Sequence, residues 1–212
     1  LRCAMALILA AGALLASVAA SPAYAAPSTV DVSIGGKIPY GGFATTWMSA
    51  DGNIAYCAEP SSPTPAPGSY STSPVPSGDV TAAIWYSFGS PGFDASMFPG
   101  SWYDGGGWDD AKYAAASHVL IAYAYSGSES AATHGTSAEF ASWAKSELIG
   151  GTFAKMKAGA GKVSAGFEAF CVRTGGGSQP LVSLSWTTGG AQGPRTASEP
   201  GPAPPGAAPH PG

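Results

Sequence analysis

The sequence predicts an α+β domain. Strands from the N- and C-terminal parts share one antiparallel sheet or sandwich, and a helical region is inserted around a central helix at about 109–125. Three observations predict it. Residues 30–58 alternate apolar and polar side chains, the middle of the chain carries alanine-rich and amphipathic runs, and residues 163–186 return to strand-like runs. Strands, then helices, then strands is the order of an α+β fold, not of alternating βαβ units.

The elements follow in order. Val30, Val32 and Ile34 mark one face of a first strand, Gly35-Gly36 reads as a turn, and residues 37–48 as a second strand with a bulge at Gly41-Gly42. Asp51-Gly52 is a hairpin signal. On the return strand, residues 53–58, alternation puts Asn53, Ala55 and Cys57 on one face and Ile54 and Tyr56 on the other. Residues 60–76 hold six prolines and read as a loop or polyproline-like stretch pinned by Tyr70. Asp79 reads as the cap of a helix over 80–88, stopped by Gly89.

The central helix starts with acidic residues that suit its dipole, is apolar nearly all round, and ends at Ser126-Gly127. A further helix over 137–149 ends at Gly150-Gly151, with a short one over 152–157 after it. Residues 163–173 and 179–186 then form a hairpin around the loop Thr174-Gly175-Gly176-Gly177.

Composition bounds the domain. The apolar run 4–20, followed by Ala23-Tyr24-Ala25, reads as a signal peptide over 1–25 cut before Ala26; the alternative is a membrane anchor. Residues 188–212 are rich in Pro and Gly and read as a disordered linker or the start of a stalk. That leaves 26–187 as one domain, with no insertion into the membrane once the signal is removed. A net charge of −4 with 9 Lys+Arg argues against a nucleic-acid partner. The scattered histidines (His118, His134, His210) and few cysteines make no metal set, and no cofactor is expected. Asp104, Asp109 and Asp110 fit a turn and a helix start, and no nucleophile elbow is present, so a hydrolase is disfavoured.

With Cys3 lost in the signal, Cys57 and Cys171 remain, and an even pair in a secreted chain reads first as a disulfide. On that reading the domain is a non-covalent extracellular binding module. The aromatic loop over 90–108 is then a candidate surface for stacking on a sugar ring, or simply core packing.

Three spaced motifs carry a different reading. Tyr56-Cys57-Ala58 resembles the aromatic-Cys-apolar motif of the thioester domains of Gram-positive surface adhesins. Ala116-Ser117-His118-Val119-Leu120-Ile121 sits where that family usually has Thr-Gln followed by apolar residues on a central helix. Ser178-Gln179-Pro180-Leu181-Val182 is similar to its closing Gln-x-apolar-apolar motif. The resemblance implies a cell-surface adhesin domain, a monomer within a larger cell-wall-associated protein. In it, Cys57 and Gln179 would form an internal thioester and capture an amine nucleophile on a host or surface protein. That is single-use chemistry, not enzymatic turnover. Tyr56, Trp85, Trp102 and Trp108 are candidates for shielding the bond from water. His118 replaces the family's Gln, and is either a proton shuttle beside the thioester or a packed helix histidine. The sequence leaves the thioester and the Cys57–Cys171 disulfide both open.

Overall fold

A computed structural model describes residues 26–186; the signal peptide and the Pro/Gly-rich tail expected from the sequence lie outside the described residues. Six antiparallel strands close into a barrel in the order β1-β2-β3-β6-β5-β4. They are β1 Thr29–Tyr40, β2 Phe43–Ala50, β3 Asn53–Cys57, β4 Gly68–Pro74, β5 Phe167–Arg173 and β6 Leu181–Trp186. The expected α+β class holds, with the sheet closed on itself. Closure depends on β4, which pairs with β1 on one side and β5 on the other. This strand lies inside the proline-rich stretch expected to be a loop. Its sequence, GSYSTSP, has no apolar alternation and most of its residues are open to solvent, so its hydrogen bonds to two neighbours define it, not burial.

Turn and bulge exchange places relative to the expectation. Gly41-Gly42, both at positive φ, form the β1–β2 turn, and the irregularity falls at Gly35-Gly36, inside β1. There the pairing shifts by one residue, between Ile34↔Met48 and Lys37↔Thr46. Because side chains alternate with period two, that extra residue changes the face β1 buries. Val30 and Val32 point into the barrel cluster with Met48, Ala55 and Leu181, whereas Ile38 and Tyr40 join the larger core under the helices.

All helices lie between β4 and β5 in the chain. Helix α1 (Gly78–Tyr86) is capped by Ser77, not Asp79, and ends before Ser87. Helix α2 (Asp110–Ser126) is the expected central helix: the Asp109 side chain accepts from the Lys112 N–H, and Gly127 closes it in the left-handed conformation. It packs on α1, β1 and β3, with every residue from Ala114 to Ala122 buried. A short α3 (Glu129–Ala132) follows, unforeseen in the sequence. Helix α4 (Ala138–Trp143) then runs without a break through a π-helical stretch, Ala144–Phe153, into α5 (Ala154–Ala158). The expected stop at Gly150-Gly151 is overridden because Leu148, Ile149, Phe153 and Met156 are all buried. Their burial outweighs the roughly 1 kcal/mol that each glycine costs a helix.

Candidate functional site

Cys57 is the last residue of β3 and faces the barrel interior, as the alternation requires. Its neighbour across the ladder is Leu181, and the Ala58 N–H donates to the Pro180 carbonyl at 3.0 Å. This register carries Gln179 to the end of β3. Two further bonds fix its backbone: the Gln179 N–H donates to the Pro63 carbonyl (3.0 Å), and the Thr174 hydroxyl donates to the Gln179 carbonyl (2.8 Å). The proline-rich loop and the glycine loop thus clamp Gln179 between them.

Cys57 and Gln179 share one small cavity of about 40 Å³, completed by Tyr40, Phe43, Ala44, Thr45, Pro60, Ser62 and Thr64. It has room for about one water molecule. The Thr45 hydroxyl lies 3.4 Å from the Cys57 sulfur. Burial pushes the Cys57 thiol up to about 11, with Thr45 and Gln179 pulling the other way. The thiol is therefore protonated at neutral pH. Gln179 is 3% exposed, and its side-chain oxygen is buried without a hydrogen-bond partner.

His118 sits behind the cysteine. Its Nδ1 accepts the Cys57 backbone N–H at 3.1 Å, and its ring meets Tyr56 edge-on with centroids 4.9 Å apart. Nδ1 as acceptor requires a neutral imidazole with its proton on Nε2. Burial agrees, lowering the His118 pKa to about 3. His118 is not among the residues lining the cavity. Its visible contact holds the backbone at Cys57.

The two cysteines are apart. Strand β6 runs between β3 and β5: Cys57 pairs with Leu181, whereas Cys171 pairs with Val182. Cys57 belongs to the barrel interior and Cys171 to the core under the helices, so they occupy opposite faces of the sheet. Two strand spacings separate their strands, roughly 9–10 Å, beyond the reach of a disulfide. Both thiols are free. The expected alternative of a Cys57–Cys171 disulfide is therefore corrected, because a one-residue difference in register sends the side chains through opposite faces.

Other expectations shift as well. None of Tyr56, Trp85, Trp102 and Trp108 lines the cavity; its aromatic walls are Tyr40 and Phe43. The aromatic loop over 90–108 packs on itself and on the helices, and its Trp102 and Tyr103 also line an open depression beside the β1–β2 turn. Trp108 stacks on Tyr113 at 4.7 Å, and Trp102 meets Trp108, Phe140 and Trp143 within 5.5 Å. Asp104 and Asp109 are occupied with local backbone N–H groups. Sequence reasoning missed Thr45, Pro63 and Thr174. No periodicity singles them out, since each reaches the site through a hydrogen bond set by the barrel's closure.

The arrangement places a cysteine and an amide-bearing side chain together at the barrel mouth, backed by a buried helix. Residues 29–151, more than half of the chain, match the family model described as a thioester domain, and the chain belongs to that family. The matched stretch contains Cys57 and His118 and ends before Gln179. No curated protein and no solved structure matches the chain. Among the described residues, no helix is long and apolar enough to cross a membrane.

Proposed function

We propose that Cys57 and Gln179 form an internal thioester, and that the domain uses it once to attach covalently to an amine on a surface protein. The observation that carries this reading is the shared cavity, in which a buried thiol stands beside a buried carboxamide whose oxygen accepts no hydrogen bond from the protein. The Cys57 sulfur attacks the Gln179 side-chain carbonyl carbon, the C–N bond breaks, and the thiol proton leaves with the nitrogen as ammonia. No net charge is created, which suits a site where burial disfavours the thiolate.

The product is an activated acyl group. A primary amine attacks the Gln179 carbonyl carbon, the C–S bond breaks, the sulfur recovers a proton from the amine, and an amide bond to the partner remains. Cys57 returns as a thiol but Gln179 is consumed, so the domain does not turn over. A cavity of one-water size walled by Tyr40, Phe43 and Pro60 limits hydrolysis. His118, bonded to the Cys57 N–H, acts as a positioning residue and not as a proton shuttle. Family membership and the expected signal peptide and linker support an extracellular, cell-surface adhesin of a Gram-positive cell wall, with this domain monomeric in a longer chain.

Intact mass measured before and after methylamine tests the reading. The expected protein is short by one ammonia, gains methylamine on incubation, and does neither as Cys57→Ala. A full mass that ignores methylamine would falsify the thioester.

A further inference from the structure

A second, larger depression adjoins the reactive cavity. It is an open groove of about 500 Å³, lined by Pro39, Tyr40, Gly41, Gly42, Phe43, Ala44, Trp102 and Tyr103. Tyr40, Phe43 and Ala44 line both spaces, so the groove and the cavity are two sides of one wall, the tip of the β1–β2 hairpin.

That wall is held in place. Gly41, at positive φ, lies against Phe140, where an added Cβ would clash with the ring, and its carbonyl accepts the Ser137 N–H. Tyr40 packs on Phe43 and Phe140, with ring centroids 5.6 and 5.4 Å away. The groove is thus preformed, in the size range of sites that seat a small ligand or a short peptide segment.

We propose that this groove docks a peptide segment of the partner and delivers a lysine side chain from it to the Cys57–Gln179 cavity. The inference rests on the thioester reading and names what brings the amine. The size mismatch carries it. A cavity of about 40 Å³ admits only the reacting end of a nucleophile, while the body that carries it has about 500 Å³ next door. An amine at the end of an unbranched chain fits that division. The chemistry of the lining agrees: it holds no Lys or Arg, in a chain of net charge −4. The aromatic faces of the groove attract an ammonium and its methylene stem.

The test compares methylamine, which needs only the cavity, with the blocked peptide acetyl-Gly-Lys-Gly-amide, each followed as adduct mass against time. Two variants alter the groove without touching the cavity lining: Tyr103→Ala, and Pro39→Lys at the exposed rim. Both are expected to slow the peptide adduct about tenfold while methylamine reacts at the unaltered rate. Peptide rates equal to the unaltered protein's in both variants overturn the groove as the docking site. If Tyr103→Ala also loses methylamine, its packing on Trp102 and Phe140 has failed, and Pro39→Lys alone decides. A protein that reacts with neither amine sinks the thioester reading itself, and the groove with it.

Discussion

Cys57 and Cys171 lie on either side of one strand, β6, yet their surroundings differ in kind. Burial pushes both thiols up to about 11, so neither is an activated thiolate. Acidity does not distinguish them. The difference is the neighbour. Cys57 faces a cavity with a hydroxyl and an unpaired carboxamide oxygen, whereas Cys171 lies in the core under the helices, its strand paired with β4 and β6. A cysteine here is defined by what stands beside it, more than by its pKa.

The largest effect expected from breaking that contrast is all-or-none. Gln179→Ala abolishes methylamine incorporation as completely as Cys57→Ala does, whereas Cys171→Ala keeps full incorporation, all read by intact mass. Next comes His118. His118→Ala removes the acceptor of the Cys57 N–H and opens a hole behind the site, at a cost of about 2–4 kcal/mol by denaturant unfolding. His118→Gln, which restores an acceptor, recovers part of that loss. Full stability in His118→Ala would contradict its positioning role.

The pH dependence separates the histidine from the thiols. The folded-state pKa of His118 is depressed to about 3 from an unfolded value near 6.5, so it opposes protonation of the folded form. Its contribution is complete above pH 6.5 and falls by about 1.4 kcal/mol per pH unit toward pH 3. In protein whose Cys57 is still a free thiol, its pKa is raised, so its contribution is lost in the opposite direction, as pH climbs from about 9 to about 11. Unfolding curves for His118→Gln between pH 4 and 7 should lack the acid slope, and an unchanged slope would assign it elsewhere.

A finer probe is Thr45→Val. It removes the hydroxyl 3.4 Å from the sulfur, raises the thiol pKa further, and slows thioester formation several-fold at an expected stability cost of about 1 kcal/mol. Equal formation rates would make Thr45 a bystander. The smallest effect belongs to Cys171→Ala, about 1 kcal/mol of thermal stability with the chemistry untouched.

Much of this was readable along the chain. The placement of Ala55 and Cys57 opposite Tyr56 follows from period-two alternation in a strand with both faces buried. The central helix announced itself through its acidic start, alanine body and closing glycine. β4 did not, because a polar strand looks like a loop until it has partners. The exchange of turn and bulge was hidden for a related reason: Gly35-Gly36 and Gly41-Gly42 are equivalent pairs locally, and only pairing with β2 tells them apart.

By itself, then, the sequence determined the α+β class, the face on which Cys57 lies, and the motifs that mark a thioester domain. It could not choose between Gln179 and Cys171 as the neighbour of Cys57, since both sit near the same glycine loop. The tertiary structure decided that through register. Cys57 opposite Leu181 and Cys171 opposite Val182 put the thiols through opposite faces of the sheet, while the Pro63 and Thr174 bonds bring Gln179 to the barrel mouth. Register is a property of paired strands, and no single stretch of sequence carries it.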